Sequence, residues 1–184
     1  MTSDERVRAV KYLMETKNAL VGSTRDLSGD EWRHKPSPEA WSIAENVEHL
    51  AIVENGLLRG LQKMATEPAA PEDQLALAAG KEDLIVRAVP IRNRKVKGPP
   101  EASPRGEYSD PAALVTRFCE VRDRTIAYAN STADPLRTRL LPHFVFGPLD
   151  GFQWLIFFAA HTERHRQQIE EVKAGFARPR PMQA

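Results

Sequence analysis

The stretch GPLDGFQWLIFFAAHTERHRQQIEEVKAG, residues 147–175, decides the fold. Gly147 and Pro148 break whatever element precedes them. Asp150 and Gln153 then stand three apart, the spacing of a capping box. From there Trp154, Phe158, His161, His165, Gln168 or Ile169, and Val172 recur every three to four residues, the period of a helix with one buried stripe. Gly175 supplies a stop. A helix this long and this apolar on one side needs partners, and the rest of the chain offers three.

The first partner runs from Asp4 to Val21 behind a Thr2-x-x-Glu5 capping box, with Val7, Val10, Tyr12, Leu13 and Leu20 as its stripe and Gly22 after it. The second starts at Ser42, which forms a capping box with Glu45 and precedes Ile43, Val47, Leu50, Leu57 and Leu61, with Val53 beside them. Its pattern fades before Pro68. The third follows Ser109-Asp110-Pro111, where Asp110 suits the cap and Pro111 the first helical position. Its inner face is Leu114, Phe118, Val121, Thr125 and Tyr128, and it ends near Asp134-Pro135.

Pro68, Pro71, Pro90, Pro99, Pro100 and Pro104 all fall between the second and third helices. That connection is too long for a tight antiparallel turn. It predicts a crossover the length of the bundle, which makes those two helices parallel. A short helix from Glu72 to Val89 is expected inside it. The fold class is therefore all-α, a four-helix bundle in one domain over residues 1–177, with residues 178–184 as a flexible tail.

Composition narrows the function. The chain of 184 residues is 41% hydrophobic and 28% charged, ordinary for one globular domain. Its net charge of +1 gives no field that favours nucleic acid or an anionic membrane. The longest apolar run, Trp154 to Ala160, has seven residues, too few to span a bilayer. The charged N-terminus lacks the apolar region of a signal peptide, and a single cysteine, Cys119, forms no internal disulfide. A cytoplasmic location is expected, with no nucleic-acid or membrane partner.

Five histidines are the chemically informative residues: His34, His49, His143, His161 and His165. Positions 161 and 165 are one turn apart and about 40° around the helix, so both rings project from one face. Two imidazoles so placed can grip one ion. They can also be surface histidines, or core histidines satisfied by hydrogen bonds. The pattern is not that of a zinc protease. Position 162 is Thr, and Glu163 lies about 200° from His161. His49 sits on the second helix near Asn46, Gly56 and Gly60, but spacing alone does not connect it to His161 and His165.

A resemblance does. The segment WSIAENVEHL, residues 41–50, resembles the start of the second helix of the DinB-like superfamily, the damage-inducible-type and YfiT-like metal-binding bundles. The segment from His143 through Trp154 to His161 and His165 resembles that family's final loop and fourth helix. The first helix and the proline-rich crossover agree only in general form. The resemblance implies a four-helix bundle with helices two and three parallel, frequently a homodimer. It also implies one divalent metal ion held by His49, His161 and His165.

Three neutral imidazoles would leave an open coordination position. Zn, Ni or Fe all suit imidazole ligands. Relatives in the superfamily include metal-dependent thiol S-transferases that use bacillithiol or mycothiol, and a maleylpyruvate isomerase. The leading expectation is accordingly a transferase in which the ion activates a low-molecular-weight thiol toward a small-molecule substrate. Metal-assisted hydrolysis and a purely structural metal are the alternatives. Hydrolysis needs a base, and Glu45, Glu48 and Glu54 on the second helix are read as solvated carboxylates.

Four weaker features complete the reading. His143 can lean over the metal or be an ordinary loop histidine. Arg164 can meet an anionic substrate or pair at a helix edge. Trp154, with Phe157 and Phe158, fills the core or lines a cavity beside the ion. His34, Cys119 and the basic run from Arg92 to Lys97 are read as an exposed loop residue, core packing and a solvated loop.

Overall fold

Hydrogen-bonded caps start the helices where the sequence places them. In the computed structural model, which describes residues 1–93, 98–106 and 110–176, helix α1 spans Ser3–Ser23 behind the Thr2/Glu5 capping box. A second box, Ser28/Glu31, opens a five-residue helix α2, Gly29–Arg33. The Ser42/Glu45 box opens α3, Ile43–Ala65. Two short helices follow, α4 (Glu72–Ala78) and α5 (Glu82–Ala88), and then a 3-10 turn at Pro100–Ala102. Asp110 accepts from Ala112 N to cap α6, Pro111–Ser131. A hairpin of β1 (Leu140–His143) and β2 (Gly147–Asp150) leads into α7, Gly151–Phe176. There the Asp150/Gln153 amides and side chains exchange bonds of 3.1 and 2.9 Å.

Helices α1, α3, α6 and α7 make the bundle, with α1 and α3 on one diagonal and α6 and α7 on the other. Helices α3 and α6 run parallel. Leu50, Leu114 and Phe118 share one apolar cluster near their starts, Arg124 bonds Asn55 midway, and Gln62 and Ser131 line one cavity near their ends. The crossover runs the length of α7. Lys81 donates to Phe146 O and Pro148 O at the hairpin, Arg92 pairs with Glu171, and Ala102 reaches His49. No helix among the described residues is long and apolar enough to cross a membrane.

Two apolar clusters fill the bundle. One gathers Leu13, Leu61, Ile85, Leu149, Phe152 and Trp154, and the other gathers Leu20, Trp32, Ile43, Val47, Leu50, Phe118 and Ile169. Between them lies a buried polar layer of Thr16, Glu54, Arg122 and Thr162. This layer corrects the reading of Glu54 as solvated. It is 4% exposed and grips Arg122 through two bonds of 2.7 Å.

Other expectations change in detail. The helix expected over Glu72 to Val89 is two helices, because the chain turns at Gly80 with φ +72, a conformation glycine adopts without steric cost. Val7 is 65% exposed rather than part of the stripe. Trp32 lies in a helix and is buried, and His34 after it packs edge-on against Phe176. The hairpin was not expected. Pro142 pairs opposite Pro148, and proline reads as a strand breaker except at an edge. Ser109, Arg94, Lys95, Lys97 and the tail 178–184 lie outside the described residues.

Candidate metal centre

His49 comes from the second turn of α3, and His161 and His165 from successive turns of α7. These two helices run antiparallel, so the early part of one faces the later part of the other. The three Nε2 atoms converge: His161 Nε2 lies 3.4 Å from that of His49 and 3.2 Å from that of His165. Nitrogens held about 2.0–2.1 Å from a tetrahedral ion are themselves about 3.3 Å apart. The three histidines are the cluster of candidate metal ligands among the described residues.

The outer nitrogens fix the protons. His49 Nδ1 lies 2.6 Å from Ala102 O, and a carbonyl only accepts, so His49 donates there and keeps a bare lone pair on Nε2. Asn46 Nδ2 donates to Ser42 O, which turns its Oδ1 to His165 Nδ1 at 2.8 Å. His165 therefore also donates outward and keeps a bare Nε2. His161 can offer one proton to only one of these two. At least one buried Nε2 lone pair is therefore left without a donor, and a cation at the centre would serve all three.

The electrostatics agree. Burial pushes the His49 imidazole down to about 4, against the opposing bond to Ala102. Burial, then the neighbouring histidines, hold His165 well below its ordinary value; burial and then His49 do so for His161. All three are neutral rings at neutral pH, the protonation state a metal ligand requires.

The surroundings seat these rings. Trp41 lies over His49 at 4.7 Å and stacks on His165 at 5.9 Å. Phe157 stacks on His161 at 5.4 Å. Glu48, next to His49, is buried and accepts from the backbone amides of Arg105 and Gly106 at 3.0 and 2.9 Å. Gly106 has φ +68, which lets successive amides converge on the carboxylate. Glu48 thus pins the crossover where Ala102 meets His49, and is not the solvated side chain expected. Glu45 is bound to the cap of α3 and to Lys35.

The remaining candidates fall elsewhere. Trp154 donates from Nε1 to Leu141 O at 3.0 Å and ties the hairpin to α7. Arg164 donates to Val89 O and Ile91 O, securing the crossover. His143 ends β1, is buried, and stands outside the histidine cluster behind Phe157. Cys119 packs against the second apolar cluster, and burial raises its thiol. Sequence reasoning gave no role to Trp41 or Ala102, and took Asn46 only as a polar neighbour of His49. Asn46 carried a usable signal, a polar residue one turn before His49 on the same helix.

A neutral-histidine cluster between antiparallel helices of a bundle with a parallel middle pair defines a metal-binding type of four-helix protein. The DinB superfamily profile matches residues 12–169, and the chain belongs to that superfamily. It is 29% identical to the uncharacterized protein YuaE of Bacillus subtilis (strain 168) over 160 residues, 87% of this chain and 91% of that one. Its fold is similar to that of YfiT from Bacillus subtilis, with TM-score 0.63 and 16% identity, covering 95% of this chain and 89% of that one. YfiT is described as a probable metal-dependent hydrolase with an unusual four-helix bundle topology.

Proposed function

We propose that the chain is a metal-dependent enzyme in which His49, His161 and His165 hold one divalent ion, and in which a small thiol is the nucleophile toward a small-molecule electrophile. The observation that carries the metal reading is the convergence of three Nε2 atoms, two of which are stripped of protons by outward bonds to Ala102 O and Asn46. Zn, Ni and Fe each suit the donor set. When bound, the ion supplies Lewis acidity and lowers the pKa of the water or thiol it carries.

The chain's own residues favour a thiol over water. Hydrolysis is faster where a base stands beside the bound water. The carboxylates on α3 are committed: Glu45 to its cap, Glu48 to the crossover and Glu54 to Arg122. A thiol is acidic enough to lose its proton to solvent without such a base. Trp41 and Phe157 flank the histidines with apolar faces, which limits competition from water.

The second reading is hydrolysis, supported by the description of YfiT. The experiment supplies the metal-loaded protein with a model electrophile and either bacillithiol, mycothiol or no thiol. Thiol-dependent conjugate formation that disappears in His161→Ala supports transfer. Turnover that needs only water supports hydrolysis, and no turnover with either supports a structural metal. A homodimer in the cytoplasm belongs to the same proposal, and sedimentation of the purified chain tests the dimer.

A further inference from the structure

His143 is the outlier among buried polar side chains. Its ring is 6% exposed. Nδ1 accepts from the backbone amides of Val145 and Phe146 at 3.0 and 3.3 Å. Two donors on Nδ1 place the ring proton on Nε2. That Nε2 is the one buried side-chain nitrogen or oxygen without a hydrogen-bond partner among the described residues. The ring is caged by Phe144, Phe146, Trp154 and Phe157, with centroids 4.7 to 5.3 Å away. Aromatic faces are weak acceptors and leave most of the donor's desolvation cost uncompensated. Buried groups in this state call for an explanation.

The cage has a movable wall. Phe144 stacks flat on His143, with an interplanar angle of 15°, yet is 67% exposed, and Val145 beside it is 57% exposed. Turning Phe144 outward costs little packing and uncovers the imidazole face on which it stacks. On the opposite side Phe157 meets His143 at 4.7 Å and stacks on His161. One ring therefore separates His143 from the candidate metal centre.

We propose that the hairpin carries a cryptic ligand subsite, in which Phe144 swings aside and His143 donates its Nε2–H to the carbonyl oxygen of an uncharged aromatic molecule. The aromatic walls select an apolar ring. A single donor amid those walls does not offset the desolvation of a carboxylate, so the subsite takes a ketone, ester or amide oxygen rather than an acid. The burial that holds the imidazole down to about 4 keeps it a neutral donor at neutral pH. The subsite stands on the hairpin's geometry alone. Its use in catalysis, presenting a carbonyl-bearing electrophile beside His161, rests on the metal reading.

The test uses metal-free full-length protein labelled with 15N-histidine, with acetophenone, toluene and benzoate as probes. Acetophenone is expected to bind about tenfold more tightly than toluene, the worth of one net hydrogen bond, to shift the His143 Hε2 resonance downfield, and to outcompete benzoate. In His143→Phe the preference for acetophenone over toluene should vanish, and in Phe144→Ala acetophenone should bind more tightly. Equal binding of acetophenone and toluene to wild type overturns the proposal. So does an unmoved Hε2 resonance, a preference that survives in His143→Phe, or no binding of any probe to either wild type or Phe144→Ala. The Hε2 measurement stands even where a variant does not fold. Metal content, measured separately, decides the metal reading without touching this one.

Discussion

Two buried polar clusters occupy the same bundle, and they are built in opposite ways. Around Arg122 everything closes. Its guanidinium takes both Glu54 oxygens at 2.7 Å, Leu13 O and Thr16 at 2.9 Å, and Thr162 at 2.6 Å. All five donors are satisfied, and groups from α1, α3, α6 and α7 meet in one network. Around His161 the outward donors of His49 and His165 are satisfied, while inward there are too few protons for the lone pairs that converge. The closed cluster has no use for a ligand and explains how the helices are held in register. The open cluster stays incomplete without a cation. Burial and polarity are common to both; only the balance of donors and acceptors separates a scaffold from a site.

Breaking the closed cluster should have the largest effect. Glu54→Gln or Arg122→Met leaves a buried charge unpaired and should cost about 3–5 kcal/mol in denaturant unfolding. The double variant Glu54→Leu/Arg122→Met should recover much of that loss. A double variant as unstable as the worse single one would deny that the pair acts as a unit.

Changes in the open cluster should separate binding from folding. His161→Ala should fold, within about 2 kcal/mol of metal-free wild type, yet lose the rise in Tm that added Zn²⁺ gives wild type. An equal rise in both would place the ion elsewhere. Asn46→Leu leaves the three rings in place but frees His165 to turn, and should weaken metal binding about 10- to 100-fold in competitive chelator titrations.

A separate effect distinguishes neutral from charged rings. The unfolded His49 takes a proton below about 6.5, whereas the folded one does so only near about 4. Lowering the pH through that window therefore favours the unfolded chain, on the order of 1 kcal/mol per pH unit. With chelator present, stability should be flat in this group above about pH 6.5 and fall below it, and His49→Ala should make the fall shallower while the depressed His143, His161 and His165 keep the rest of it.

Much of this contrast is written in local patterns. The bundle helices announce themselves through capping boxes and stripes, because a cap and a 3.6-residue period involve residues a few places apart. The pair His161 and His165 is visible for the same reason. His49 entered through resemblance, since its link to α7 spans more than a hundred residues of chain and no spacing rule reaches that far. The acidity of Glu48 and Glu54 suggested solvent. Their burial depends on partners at Gly106 and Arg122 that only the assembled fold supplies. The hairpin hid behind Pro142 and Pro148, and with it the cage around His143.

The most direct test of the central claim is the metal content of untagged protein. Elemental analysis should find about one divalent ion per chain in wild type and none in folded His49→Ala, His161→Ala and His165→Ala. Wild-type protein that stays metal-free after incubation with Zn²⁺, Ni²⁺ and Fe²⁺ would contradict the account, as would variants that keep their ion.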